Sequence, residues 1–459
     1  MRTRTGGRMA RGAAALLLAS LFLSCGGGEK APLRGAVLIL IDTCRYDDVG
    51  ARTEAGPVTP NLDAFTERAV RFTRASSPAP WTLPSVASLL TGLYPTSHGA
   101  AGRYPEFSRL RDEVTTLPER LRAAGFRTAA FVNVAFLDPV LGLDRGFDLY
   151  DYVPGANLTI RRAGETFDEA IRWLDENREE PFFLLIHLFD PHMDFDPPEP
   201  FRTRFLETYD WEMEPPFTGV ERWKKERMVT PEIRDFARTL YRAEIAAVDE
   251  GCGRFFEWMD GAGLMDETVV VVTADHGEEF WDHGRFEHGH SLYEELLHVP
   301  LLLRAGNRFK PAEVDRRVGL VDVMPTLLDV LGEEDGGEGD LDGESLAPLI
   351  EGKAPDGPRY RFAESLLYGQ EWKAVIGERY KFSYNEEQRR MALFDLLIDP
   401  GEKQDLAETD EEIVKEMADL LLAWFRGQLE RTGGSLRGGE VVDMEEEVVE
   451  KLRSLGYIR

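Results

Sequence analysis

Cysteine is scarce in this chain, with three among 459 residues, and so is positive charge, with 54 Lys and Arg against 83 Asp and Glu. Only Cys44 and Cys252 lie beyond the N-terminal leader, too few for a disulfide framework; one bond between them stays open, and both read as small buried apolar side chains. The net charge of −29 excludes nucleic acid and anionic membrane surfaces as electrostatic partners. An anionic substrate would therefore need a local cation, which points to a bound metal. A membrane-spanning run is missing as well: the N-terminal apolar segment, Ala13 to Leu23, falls short of the roughly 20 residues a bilayer span requires. What is present is a 43% hydrophobic composition, enough for one large domain and a smaller companion.

The apolar segment follows Arg2, Arg4, Arg8 and Arg11 and precedes Ser24-Cys25-Gly26-Gly27-Gly28, the order of a signal peptide. It resembles a bacterial lipoprotein signal, which implies an exported protein of the cell envelope, attached to the membrane by a lipid on Cys25. Residues 1–25 are then the leader and 26–34 a tether. Ordinary cleavage nearby is the alternative, and Met9 is a second candidate start.

Ala36 to Ile41 is a continuous apolar run, the mark of a strand buried on both faces. Thr128 to Val132, Phe182 to Ile186, Thr268 to Thr273 and Val299 to Leu303 read the same way. Amphipathic helices over Leu117 to Ala124, Phe167 to Asn177 and Phe236 to Asp260 alternate with them. The alternation predicts an α/β fold, a mostly parallel sheet covered by helices, over residues 35–335. After an acidic, Gly-rich linker (Glu333 to Asp342), short strands over Tyr360 to Ala363, Trp372 to Ile376, Tyr380 to Tyr384 and Met391 to Asp395 precede a helix over Asp410 to Gln428. They predict a C-terminal α+β subdomain over 336–435. Residues 436–459 form a tail whose last part, Val441 to Leu455, has a helical pattern.

In open parallel sheets ligands bind beyond the carboxyl ends of the strands. Asp42, Asn133, His187 and Asp275 each fall at or just past such an end. Six of the eight histidines lie in two short segments, His187 to His192 and His276 to His290, beside acidic residues. Asp42, Asp275, His276 and the hydroxyl of Thr82 would together hold one divalent ion, with Ca, Mn, Mg and Zn all open. Thr82 opens an apolar helix at Pro80-Trp81-Thr82-Leu83-Pro84-Ser85, which makes it a candidate nucleophile; a helix N-cap is its plainer role. His192, then His288, then His290 are the candidates to contact an anionic ester and to protonate a leaving group. His187 suits support as well as contact. A solvated His-rich loop is the competing reading of the cluster.

The segment Pro84-Ser85, Val86, then Leu90-Thr91-Gly92 resembles the sulfatase signature: Cys or Ser, any residue, Pro, Ser, Arg, three variable residues, Leu-Thr-Gly. Ile41-Asp42-Thr43-Cys44-Arg45, Thr59-Pro60-Asn61-Leu62-Asp63, Asp275-His276-Gly277-Glu278, Asp190-Pro191-His192 and Leu393-Phe394-Asp395 extend the resemblance over most of residues 35 to 435. They point to the sulfatase family within the alkaline phosphatase superfamily. The resemblance implies an alkaline-phosphatase-like α/β/α sandwich and an ester hydrolase with one divalent metal. Sulfatases convert the signature Cys or Ser to a formylglycine; Thr82, with a methyl on Cβ, cannot become that aldehyde and would act as an alcohol. Val86 replaces the signature Arg, Asn133 stands where many sulfatases place a Lys, and His288-Gly289-His290 where they carry another. Asn133, His187 and His290 are therefore expected on the substrate side. With sulfate-binding cations lost, a phosphate or phosphonate ester is the preferred substrate, small or borne on a glycan or lipid. Sulfate-ester hydrolysis, transfer of a phospho-alcohol group onto an envelope glycan, and silent binding of anionic glycans are the alternatives.

Overall fold

Strand β1 (Gly35–Ile41) is buried along its whole length, as an uninterrupted apolar run requires. The computed structural model describes residues 33–103, 106–153, 161–207, 229–334, 341–354, 357–434 and 439–442. The leader, with Cys25, and nearly all of the tether lie outside the described residues. After β1 come β2 (Val70–Ser76), α1 (Thr82–Thr91), β3 (Arg127–Val132), β4 (Leu149–Tyr152), α2 (Ala163–Asn177), β5 (Phe182–Leu188), α3 (Pro231–Gly261), β6 (Thr268–Ala274), β7 (His298–Ala305) and β8 (Ala312–Gly319). The strands form one sheet in the order β8-β2-β7-β6-β1-β5-β3-β4. All neighbouring pairs are parallel except the two made by β7.

The register places the site. Ile41 lies opposite Ala274 on one side and Leu188 on the other, so the chain leaves β1, β5 and β6 at the same level. Asp42 and Asp275, each the first residue past its strand, emerge side by side.

Two expectations need correction here. The run Val299 to Leu303 is a strand, but it runs against the rest of the sheet; an apolar run carries no information on direction. Val441 and Val442 pair as a short strand with Ser108 and Phe107 instead of opening a helix, while residues 443–459 lie outside the described residues.

The C-terminal segment forms an antiparallel sheet of β9 (Arg361–Ala363), β10 (Lys373–Ile376), β11 (Tyr380–Asn385) and β12 (Arg390–Asp395), covered by α4 (Glu411–Arg431). Met417 and Leu421 of the helix pack on Val375, Phe382 and Leu393. Residues from Pro32 onward make a single compact unit. One tie between sheet and subdomain is the forked pair of Arg361 with buried Asp322, at 2.9 and 3.0 Å. Cys44 and Cys252 are free and buried, and no disulfide joins them.

Candidate metal and nucleophile site

Asp42, Asp275 and His276 are fully buried, and one ligand atom from each lies within 4.8 Å of the others. The backbone that carries them is held tightly. Asp275 Oδ1 accepts from the N–H of Thr43 at 3.1 Å and from that of His276 at 2.9 Å. Thr43 pays for this with a φ of 56°, a conformation that costs a β-branched residue on the order of 1–3 kcal/mol. Tyr241, from α3, holds the loop by donating to Thr43 O at 2.8 Å and accepting from Arg45 N–H at 2.9 Å. Gly277 is dictated by close approach: a Cβ there would lie 2.0 Å from Glu295 O.

The imidazole of His276 is fixed by its backbone. Its Nδ1 lies 2.9 Å from Gly277 O, and a carbonyl can only accept, so Nδ1 carries the proton and Nε2 presents a lone pair. Nε2 is 3.4 Å from Asp275 Oδ2 and 3.8 Å from Asp42 Oδ1. Both oxygens of Asp42 and Oδ2 of Asp275 are buried without a hydrogen-bond donor. Burial, then the neighbouring Asp275 carboxylate, pushes the Asp42 carboxyl well above its ordinary range. Three carboxylate oxygens without donors, both of Asp42 and Oδ2 of Asp275, beside an imidazole lone pair are what a divalent cation requires, and the residues fit one.

Thr82 is the first residue of α1, after the extended Trp81. The cap position is Trp81, so the Thr82 hydroxyl is not a cap; it lies 3.5 Å from His276 Nε2, fully buried. Every residue of α1 is buried, and its N-terminal amides favour negative charge at Thr82. Ser85, one turn on, donates to Asp275 O at 2.6 Å and so ties the helix to the end of β6. Gly92 closes the helix with φ 66°. Val86 is core, and Trp81 packs on Phe107 and Phe136 as a wall.

The other histidines divide by their partners. His288 is 3% exposed, its ring centroid is 4.4 Å from that of His276, and its Nδ1 is 3.1 Å from Glu278 Oε1. The carboxylate behind the ring fixes its orientation, which places His288 to act on a group bound beside His276. His192 stands 5.1 Å from His288, ring to ring, with Nδ1 donating to Met193 O. Burial, then the charge of His288, holds its pKa well below the usual value. His187 puts Nε2 3.5 Å from Asp42 Oδ2, and burial lowers its pKa to about 4, so it stands neutral beside the metal ligand.

Asn133 and His290 sit differently from the expectation that they face substrate. Asn133 Nδ2 donates to His187 O and to Thr166 Oγ1, and its Oδ1 accepts from Arg161 Nε at 2.7 Å. With both ends bonded within the fold, it fixes the His187 strand end. His290 is spent on His288 O at 3.2 Å and Glu279 Oε2 at 2.8 Å, so it braces the loop that presents His288. The sequence reading passed over Glu278 and His98. His98 Nδ1 accepts from Ala100 N–H while Nε2 donates to Pro84 O and Ser88 Oγ of α1; the only signal was a His shortly after the signature.

Burial lowers the His98 pKa to about 3, with the Pro84 carbonyl opposing and Arg111 reinforcing the shift. The folded state therefore refuses a proton that the unfolded chain takes up near pH 6.5. Stability from this group is complete above pH 6.5 and is lost as pH falls towards 3. Between pH 7 and 4.5 the loss amounts to about 3 kcal/mol. Denaturant unfolding of the wild type and His98→Gln should show their stability gap narrowing by that amount; parallel pH curves would refute the assignment.

The fold and site are those of an ester hydrolase class, and the comparisons fix the family. The Sulfatase family model matches residues 35–333 and the C-terminal model of N-sulphoglucosamine sulphohydrolase matches 281–425; the chain belongs to the sulfatase family. An arylsulfatase of Clostridium perfringens is 25% identical, over 84% of this chain and 92% of its own. A multifunctional alkaline phosphatase superfamily protein of Trinickia caryophylli is also 25% identical, over 87% and 96%. Among solved structures, a 2-O GAG sulfatase superposes with a TM-score of 0.72 at 21% identity, covering 91% of this chain and 96% of that one. The phosphonate monoester hydrolase of Agrobacterium radiobacter does so at 0.71 and 22%, covering 86% and 96%. These establish the alkaline-phosphatase-like fold. Members of the superfamily use a divalent metal, and Asp42, Asp275 and His276 are a group of residues that could hold one.

Proposed function

We propose that this sulfatase-family hydrolase cleaves phosphate or phosphonate esters with the Thr82 hydroxyl as nucleophile. The observation that carries the reading is the place of Thr82 Oγ1, buried at the N-terminus of α1 and 3.5 Å from His276 Nε2. Asp42, Asp275 and His276 would hold a divalent ion, which would supply polarisation of ester oxygens and a lowered pKa for an adjacent hydroxyl. Thr82 Oγ1 then attacks phosphorus in line, giving up its hydroxyl proton to solvent and forming a P–O bond as the bond to the leaving alcohol breaks. His288, backed by Glu278, delivers the proton that the alcohol takes. Water later attacks the same phosphorus, releases the product and returns a proton to Thr82, while solvent restores the proton of His288. His192 faces the anion, and His187 and Asn133 hold the strand end beneath Asp42.

A second reading, sulfate-ester hydrolysis, is favoured by the names of most relatives, which are sulfatases. An aryl ester panel separates them. The proposal expects kcat/KM for an aryl phosphate diester or phosphonate monoester to exceed that for the matching aryl sulfate by about tenfold or more, roughly the effect of one lost charged anchor. The reverse order would establish the second reading.

A further inference from the structure

The loop that presents His288 has a second face. Glu279–Phe280 and Phe286–Glu287 pair as a short hairpin, and the adjacent acids Glu278 and Glu279 serve opposite sides of it. Glu278 supports His288 in the site. Glu279 pairs with His290 instead, and these two line a cavity of about 590 Å³ between the hairpin and the C-terminal sheet, which neither Glu278 nor His288 reaches. That volume lies within the range of small-ligand pockets.

The cavity differs in character from the rest of an acidic molecule. Arg285, on the hairpin, and Arg390, at the start of β12, line it with exposed guanidinium groups, neither in an ion pair among the described residues. Most of the acids around it are committed: Glu279 Oε1 accepts from the N–H groups of His283 and Arg285, Asp282 pairs with Arg45, and Asp405 accepts from Leu393 N–H. Trp372 and Tyr293 supply aromatic surface, and Tyr293 is pinned by stacking on His283 with ring centroids 3.5 Å apart. Gln388 adds an amide. Uncommitted guanidinium groups beside aromatic faces and an amide match a sugar ring that bears a carboxylate or sulfate, through forked hydrogen bonds to the anion and packing on the ring.

We propose that this cavity, whose lining includes none of Asp42, Asp275, His276 and His288, is a binding site for an acidic sugar residue, separate from the catalytic cluster. The proposal does not depend on which ester Thr82 cleaves, because binding is read without turnover. The test uses the full-length protein with three probes: a sulfated, uronate-containing tetrasaccharide, its desulfated and carboxyl-reduced counterpart, and a small aryl ester. The charged tetrasaccharide should bind the wild type at least tenfold more tightly than its neutral counterpart. Arg285→Ala and Arg390→Ala, at exposed positions that leave the core intact, should each weaken it several-fold, and Arg285→Glu at least tenfold. Turnover of the aryl ester should stay within twofold in all three variants. Equal affinity for the two tetrasaccharides, unchanged binding in the arginine variants, or a parallel fall in aryl-ester turnover would overturn the proposal. Failure of the Thr82 reading would show instead as wild-type-like turnover in Thr82→Ala, with tetrasaccharide binding untouched.

Discussion

Thr82→Ala is expected to lose about 10⁴-fold or more in ester turnover, the scale on which removing a nucleophile acts in enzymes that form covalent intermediates. Fold and metal content should be unchanged. The cap of α1 is Trp81, which makes no side-chain capping bond, so the Thr82 hydroxyl has no cap energy to lose. Its side-chain partner is His276 Nε2, at 3.5 Å, and Asp42, Asp275 and His276 should remain in place without it. Thr82→Ser keeps the oxygen and should retain measurable phosphoester activity. Steady-state kinetics with elemental analysis on each variant decide the matter; full activity in the alanine variant contradicts the account.

Asp42→Asn carries the second large effect, and its sign depends on the metal. In metal-free protein Asp42 has no donor to either oxygen and no exposure, and burial with the neighbouring Asp275 carboxylate disfavours its ionised form. A charge buried in that way costs several kcal/mol, more than a buried neutral amide. Without metal, the asparagine variant should be more stable than the wild type by about 2 kcal/mol. With saturating divalent ion the order reverses, because a ligand at about 1,000 times its Kd stabilises the wild type by roughly 4 kcal/mol. Turnover by the variant should fall to background. Thermal unfolding of both proteins with chelator and with metal tests the crossover; a variant less stable under both conditions would show that Asp42 has a structural partner.

Much of the site was legible because it follows from two regularities. Apolar runs such as Ala36 to Ile41 mark buried strands, and polar residues just after them, Asp42 and Asp275, must converge when the strands pair in parallel and in register. Other features carry no periodic signal. Val70–Ser76 alternates Arg and Thr with apolar residues and passed unnoticed as an inner strand, and the reversal of β7 depends on the connections around it. The substrate-side residues were hardest. Asn133 sits at the strand end where the rule places it, yet its amide is consumed by His187 O, Thr166 and Arg161. Such bonds join residues up to 54 positions apart, and only the folded chain reveals them. The same holds for Glu278 and His288, where a carboxylate in the metal motif turns out to support a histidine on a different segment.

The departures from the sulfatase signature thus fall around the cluster of Asp42, Asp275 and His276. Val86 joins the core, Asn133 joins the scaffold, and the hydroxyl at position 82 lies 3.5 Å from His276 Nε2. Covalent chemistry at that one oxygen is the central claim. Acid quenching of the full-length protein during turnover of an aryl phosphonate monoester or phosphate diester, followed by peptide mass spectrometry, should find the phosphonyl or phosphoryl group on Thr82, and no adduct in Thr82→Ala. Turnover with no adduct at Thr82, or an adduct on Ser85 or another residue, would contradict it.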